Sequence, residues 1–187
     1  AGNRLSFFGP EDLPRYFSAE DVIAGGGGFC ATNTIFARTE FFRCMPSYVQ
    51  TYSLDYMVQI YLSTCGDTYG ISGELSAYRR NTEGSWSERM YRAPEAYVRH
   101  EQKLKKHLAL FDEATGEKYH AAVSAAVDKL DFDILYFQRN YRALRQPRFK
   151  AVYAAMSPKA RLKFRLDQFF PGLMNLYDKM KKKHGQL

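Results

Sequence analysis

The sequence predicts an α+β fold, in which a small mixed portion of strands and helices is followed by a mainly helical C-terminal extension. Before Gly84, a glycine run and short β-rich stretches surround one good helical pattern, and after it apolar residues recur at helical spacing. The charge changes in the same region. Residues 1–90 carry 7 basic and 10 acidic side chains, and residues 91–187 carry 20 and 10. We therefore expect two portions, residues 1–90 and 91–187.

The composition is that of a folded chain of one domain or slightly more. Apolar residues make up 45% of its 187 residues and aromatic residues 16%, which argues against disorder. The three cysteines form no Cys-x-x-Cys pair, which predicts a reducing, cytoplasmic setting. No apolar run approaches the roughly 20 residues that cross a bilayer. The first residues are typical of the middle of a protein, so we expect an excised segment.

The front portion predicts short elements. Residues 1–24 are expected to be irregular with a short turn of helix, residues 25–28 to form a flexible glycine run, and residues 30–37 to form a strand. Thr39 is expected to cap a short helix, and Ser53 to begin a longer helix that Gly66 closes. Strands over residues 68–72 and 74–79 follow. Such a thin sheet is expected to extend a larger sheet that precedes residue 1.

The back portion predicts four helices, over residues 85–111, 116–145, 148–156 and 158–183, with breaks at Pro147 and Pro158. Its positive charge suits nucleic acid, anionic lipid or an acidic partner, or a solvated surface with no ligand. The last helix has an apolar stripe flanked by basic residues. This pattern is typical of a helix on an anionic membrane and equally of one packed on its neighbours.

A series of five ordered pieces between residues 21 and 87 carries a resemblance to a known family. The pieces are TNTIFAR (32–38), Pro46, LDYMVQIYLSTCG (54–66), DTYGISGELSAYR (67–79) and YRRNTEGSWS (78–87). In this order and spacing they resemble the C-terminal part of bacterial family-two glycosyltransferases, which are inverting enzymes of the GT-A type. The resemblance covers about a third of the chain.

The resemblance implies a catalytic base at Asp55. In such enzymes the acidic residue at the start of this helix takes the proton of the acceptor hydroxyl, whose oxygen attacks the anomeric carbon of a nucleotide sugar. The position is physically suitable because the helix dipole favours an ionised carboxylate at a helix N-terminus. The alternative is that Asp55 only caps its helix.

The closing segment implies contacts with the leaving diphosphate. Tyr78 and Arg79 match the family, and Arg79 and Arg80 are candidates for pairing with phosphate. Asn81 stands where the family has a histidine, which puts metal contact from this loop in doubt. Ser85 offers a hydroxyl to phosphate or to the N-cap of the next helix.

Three residues are candidates for contact with the acceptor sugar. Thr32 and Asn33 offer hydrogen-bonding groups after the glycine run, and Trp86 offers a ring that can stack on a sugar. The structural alternatives are a plain strand for Thr32 and Asn33, and a core position for Trp86.

A divalent metal, Mn²⁺ or Mg²⁺, is implied for the full-length enzyme, with ligands mostly upstream of this chain. We assign no metal ligand here. Asp131 and Asp133 have Asp-x-Asp spacing but lie within a helical pattern. The histidines are not spaced for zinc, and no Ser/His/Asp arrangement stands out.

The resulting expectation is a fragment of a glycosyltransferase in bacterial surface polysaccharide synthesis, inactive alone, cytoplasmic or peripheral at the inner face of the membrane. Its expected partners are a nucleotide sugar, a glycan or lipid-linked acceptor, the missing N-terminal half, an anionic membrane surface, and further copies of itself. Nucleic acid is not an expected partner of such an enzyme. The alternative is a non-catalytic basic helical module that binds nucleic acid or a partner protein through residues 91–187.

Overall fold

The computed structural model describes residues 9–10, 12–51, 55–73, 76–77 and 93–170. These residues are mostly helical and include a two-stranded antiparallel sheet, which confirms the α+β class with helical dominance. The chain divides into two compact units, Ala1–Val127 and Asp128–Leu187, here called the first and second unit. The predicted division near residue 90 stays a prediction.

The first unit contains a small sheet and most of the helices. Strand β1 (Arg15–Phe17) pairs with β2 (Thr68–Gly70), with Tyr16 opposite Tyr69. The helices described in this unit are α1 (Ala19–Gly25), α2 (Thr39–Arg43), α3 (Ser47–Gln50), α4 (Asp55–Thr64) and α5 (Pro94–Ala114). Helix α6 (His120–Phe137) contains the boundary with the second unit.

Helix α1 begins with a reciprocal capping box. Ser18 Oγ accepts a hydrogen bond from the Asp21 backbone N–H at 3.1 Å, and Asp21 Oδ2 accepts one from the Ser18 N–H at 3.0 Å. This arrangement satisfies two backbone donors near the start of the helix, where α-helical partners are missing. The helix buries Val22 and Ile23.

Helix α4 is the predicted helix of residues 54–66, and its existence is confirmed. It buries Tyr56, Met57 and Ile60, and it packs against α1 and α3. Full burial of each such side chain contributes about 1.5–3 kcal/mol. The predicted cap, Ser53, lies outside the described residues.

Helix α5 packs on α3 through one apolar side. Leu104, Leu108 and Phe111 recur at helical spacing and are buried. His107 Nδ1 lies 2.6 Å from the backbone oxygen of Tyr48, so a side-chain hydrogen bond links the two helices.

The second unit folds around a small core. Phe132, Leu144 and Phe149 are buried together. Helices α7 (Lys150–Ala155) and α8 (Pro158–Phe169) follow two 3-10 turns, Ala143–Arg145 and Pro147–Phe149. Ser157 caps α8 by accepting from the Ala160 N–H at 3.2 Å. None of the helices in the described part of the chain is long and apolar enough to cross a membrane.

The predicted elements of the front portion have mixed outcomes. Residues 30–37 contain a 3-10 turn, Thr32–Thr34, because Thr34 Oγ1 donates to the Ala31 carbonyl at 2.6 Å and the backbone closes around it. Within the glycine run, Gly25 ends α1 and Gly26–Gly28 form a 3-10 turn, while its predicted flexibility stays a prediction. Residues 1–24 were expected to be irregular with a short turn of helix. Helix α1 confirms the helical part of this prediction, and strand β1 was not predicted. Strand β2 confirms the strand predicted over residues 68–72, but it ends at Gly70. Residues 76–77 lie outside any strand, and the rest of the predicted strand 74–79 lies outside the described residues.

Two predicted helices of the back portion, over residues 116–145 and 148–156, are shorter than expected, at His120–Phe137 and Lys150–Ala155. The helix predicted to reach residue 145 ends at Phe137, because Arg139 has a φ of 58° and Asn140 Oδ1 accepts from the Ala143 N–H in a new turn. The first predicted helix begins at Pro94 in the described residues, and the last ends at Phe169. Residues 85–92 and 171–183 lie outside the description.

The capping box predicts a measurable loss of stability in Ser18→Ala. The substitution removes an N-cap acceptor, and we expect the free energy of unfolding to fall by about 1 kcal/mol. Urea denaturation followed by circular dichroism measures this change. Ser47→Ala is the matched control, because Ser47 is exposed in the first turn of α3 and caps no helix. Equal losses in the two variants would contradict the capping role of Ser18.

Candidate active site

The structure brings together two residues that the sequence analysis singled out for separate reasons. Asp55 is the first residue of α4 and is exposed, and Thr32 lies in the 3-10 turn that follows the glycine run. Thr32 Oγ1 donates a hydrogen bond to Asp55 Oδ2, although 23 residues separate them in the chain. The predicted base and a predicted acceptor-binding residue are therefore in direct contact.

Two buried or partly buried side chains of α4 hold the Thr32 segment in place. The Tyr56 hydroxyl donates to the Ile23 carbonyl at 2.7 Å, and Gln59 Nε2 donates to the Cys30 carbonyl at 3.0 Å. These bonds fix both ends of residues 23–30 on the helix that carries Asp55. The position of Thr32 is thus set by the packing of α4.

Steric constraints explain why glycines occupy this position. A Cβ atom on Gly25 would lie 2.6 Å from the Phe29 ring, and Gly26 has a φ of +62°, which favours glycine. The run lets the chain leave α1 and turn tightly toward Thr32. Its role in the described structure is conformational.

Burial and nearby groups shift the pKa values of two side chains beside Asp55, Cys30 and Tyr56. Burial raises the pKa of the Cys30 thiol, the nearby Asp55 carboxylate raises it further, and a hydrogen bond with Thr34 opposes both effects. Burial also raises the pKa of the Tyr56 hydroxyl. Both groups are therefore neutral near pH 7.

The other predicted site residues have different outcomes. Asn33 is exposed and its Nδ2 donates to the Ala77 carbonyl at 3.5 Å, so it joins the turn to a residue that shortly precedes Arg79 in sequence. The remaining candidates lie outside the described residues, and their roles stay predictions: Arg79, Arg80, Asn81, Ser85 and Trp86.

Gln59 is a site residue that the sequence analysis missed. It lies one helical turn after Asp55, and only 5% of it is exposed. Its Oε1 is buried and accepts no hydrogen bond from the described residues. The available signal was an amide within the apolar pattern of a helix, since a buried amide requires partners.

Neither metal-ligating side chains nor similar proteins give further evidence about this site. Among the described residues, no three His, Cys, Asp or Glu side chains are grouped to hold a metal ion. Comparison with known protein families, curated proteins and solved structures found no match to this chain.

A second polar cluster in the first unit was also missed. His120 Nδ1 lies 2.6 Å from Asp112 Oδ2, and His120 Nε2 lies 3.3 Å from Ser124 Oγ. The order of the groups is that of a Ser-His-Asp triad. The backbone N–H groups at and after Ser124 are engaged inside α6, so they cannot form an oxyanion hole.

The geometry instead indicates a clamp between helices. Asp112 lies near the C-terminal end of α5, and His120 is the first residue of α6. The hydrogen bond and the charge of Asp112 raise the pKa of His120. The protonated histidine is therefore the form that the folded chain stabilises.

The clamp predicts a pH-dependent effect of His120→Gln. Because the pKa of His120 is higher in the folded chain, the protonated histidine stabilises the fold. This stabilisation is complete below the ordinary pKa of 6.5 and is lost as the pH rises through the pKa of the folded state. The melting temperatures of the wild type and His120→Gln are compared at about pH 6 and about pH 9. We expect the wild type to exceed the variant by more at about pH 6. An equal difference at both values would contradict the ion pair. Ser124→Ala controls for the weaker contact and is expected to show little pH dependence.

Proposed function

We propose that this chain is the acceptor-side part of an inverting glycosyltransferase and that Asp55 is its catalytic base. The observation that carries the proposal is the hydrogen bond from Thr32 to the Asp55 carboxylate. Together with the ordered motifs between residues 21 and 87, it supports a site where a hydroxyl donates to this carboxylate. The proposed product is a bacterial surface glycan, and the proposed donor is a nucleotide sugar.

The exposed carboxylate meets the first requirement of a general base, which is access to the proton that it removes. Asp55 lies in the first turn of a ten-residue helix, where the helix dipole favours its ionised form. Its Oδ2 already accepts from one hydroxyl, that of Thr32. An acceptor sugar would present the same kind of donor to the carboxylate, within hydrogen-bond reach.

In the proposed reaction, Asp55 takes the proton of the acceptor hydroxyl while the oxygen forms a bond to the anomeric carbon. The bond from that carbon to the diphosphate breaks, and the diphosphate leaves with the electron pair. Attack on the face opposite the leaving group inverts the anomeric configuration. Thr32 would orient the carboxylate, and Asn33 would contact the acceptor beside it.

Gln59 would act on this site by positioning Thr32. Its Nε2 donates to the Cys30 carbonyl at 3.0 Å, two residues before Thr32. Its side chain is buried, so we expect it to hold the turn in place without touching the acceptor.

The resemblance also implies Mn²⁺ or Mg²⁺, which would offset the charge of the leaving diphosphate. The described residues contain no group of three or more metal-ligating side chains, so they do not fit as its complete site. Arg79, Arg80, Asn81 and Ser85 are proposed to contact the diphosphate.

Asp55→Asn is the substitution that separates a base from a helix cap. Asparagine is as good an N-cap as aspartate but cannot take a proton, so turnover should fall about 10²- to 10⁴-fold while the fold is retained. The assay is nucleotide release by the full-length protein from a panel of sugar nucleotides with Mn²⁺ or Mg²⁺. Thermal unfolding checks that the variant is folded.

The matched control is Glu95→Gln. Glu95 is also an exposed carboxylate in the first turn of a helix, α5. Its replacement should leave turnover unchanged. Equal turnover in wild type and Asp55→Asn would show that Asp55 only caps its helix, and absence of turnover with every donor would reject the transferase.

A further inference from the structure

A cavity of about 350 Å³ lies within the second unit. Its volume falls in the range of about 300–1,000 Å³ that is usual for small-ligand sites. Five aromatic side chains line it: Phe132, Tyr141, Phe149, Tyr153 and Phe164. The cavity is therefore a recess walled largely by rings.

The rings form one connected group. The centroid of Phe164 lies 5.6 Å from that of Phe132, 5.7 Å from that of Tyr153 and 6.0 Å from that of Tyr141. Phe132 and Phe149 are buried in the core of this unit, which holds the wall in place. A ring wall of this kind can accept a flat aromatic ligand by offset or edge-to-face contact.

Polar and charged groups complete the lining. Arg145 and Lys150 contribute cations, and Gln146 and Gln168 contribute amides that can both donate and accept hydrogen bonds. Arg145 and Lys150 are exposed, and neither pairs with a carboxylate among the described residues. An anion at the cavity would therefore not have to displace an existing ion pair of these two side chains.

The surrounding segment is strongly basic. Residues 138–170 contain nine basic side chains and one acidic one. Arg148 is neutralised by Asp128 and Asp131 at 3.3 and 2.9 Å, and Lys163 pairs with Asp167 at 3.2 Å. The excess positive charge raises the local concentration of anions near the cavity.

We propose that this cavity binds an aromatic heterocycle that carries a phosphate, which is the chemistry of a nucleotide. The base would contact the ring wall, the amides of Gln146 and Gln168 would pair with its edge, and Arg145 and Lys150 would hold the phosphate. The ligand could be a free nucleotide or one nucleotide of a single strand, in which bases stack on aromatic side chains beside cations. The inference does not depend on the proposed transferase activity.

The test is equilibrium binding to the full 187-residue chain. The probes are uridine and adenosine monophosphates, uridine, inorganic phosphate, and a fluorescent oligothymidylate of about 12 nucleotides. Vesicles of phosphatidylglycerol test an anionic lipid surface. Saturable binding of a monophosphate indicates a free-nucleotide site, whereas saturable binding of the oligonucleotide alone indicates a strand-binding site, and either result supports the proposal.

Arg145→Gln and Lys150→Gln remove the proposed phosphate contacts. Each should weaken binding about tenfold, and each should reduce the dependence of log K on log salt by about 0.7 for the single strand. Lys159→Gln is the matched control, because Lys159 is an exposed cation of the same unit that does not line the cavity. Its affinity change should be less than about twofold.

Tyr153→Leu tests the ring wall. Leucine keeps an apolar side chain but removes the aromatic face, so nucleotide affinity should fall about tenfold or more. Tyr69→Leu is its control, since Tyr69 is an exposed tyrosine of the first unit. Circular dichroism and thermal unfolding confirm that each variant is folded.

Four results would overturn the proposal. The first is that no nucleotide or strand binds saturably, and the second is that inorganic phosphate binds with the same affinity as a nucleotide. The third is that vesicles bind more tightly than nucleotides. The fourth is that Lys159→Gln loses as much nucleotide affinity as the two cavity variants. The last result would show that only diffuse charge attracts the anion. Tighter binding to the vesicles than to nucleotides would show that this surface binds anionic lipid.

Discussion

Burial of one side of α4 is the constraint on which the candidate site depends. Met57 and Ile60 are fully buried, and Tyr56 is 4% exposed, so the helix has a fixed rotation against α1 and α3. The buried Tyr56 hydroxyl needs a partner, because an unsatisfied polar group costs about 1–3 kcal/mol. The Ile23 carbonyl supplies it. Packing of the core therefore also determines where the segment leading to Thr32 lies, and the exposed Asp55 meets it there.

The second unit contains a strongly basic segment, and its fold must accommodate these positive charges. A small aromatic core supplies apolar burial, and the acidic groups Asp128, Asp131 and Asp167 offset part of the charge. The cations of these pairs, Arg148 and Lys163, are about half exposed, and ion pairs near the surface typically contribute about 1 kcal/mol or less each. The remaining cations are available for an external anion. The two units thus present opposite charge at their candidate sites, a carboxylate in the first and guanidinium and ammonium groups in the second.

Sequence reasoning predicted the elements that a strong local pattern determines. Helix α4 was predicted because its apolar residues repeat at helical spacing and Gly66 follows it. The strand expected at residues 30–37 was wrong, because local hydrogen bonds such as that of Thr34 made a turn of an alternating, β-rich stretch. The resemblance selected Asp55, and the hydroxyl that follows the glycine run selected Thr32. Their contact depends on the tertiary packing of Tyr56 and Gln59 and could not be predicted from periodicity.

The contact between Thr32 and Asp55 is the central claim, and a double-mutant cycle tests it most directly. Thr32→Val, Asp55→Ala and the double variant are compared with the wild type by urea denaturation, which gives four free energies of unfolding. Alanine is used at residue 55 because an asparagine oxygen could still accept the hydrogen bond from Thr32. Residues in contact show an interaction energy of about 0.5 kcal/mol or more, and we predict a value in this range. Additive losses, within about 0.3 kcal/mol, would show that the two side chains do not interact and would contradict the account.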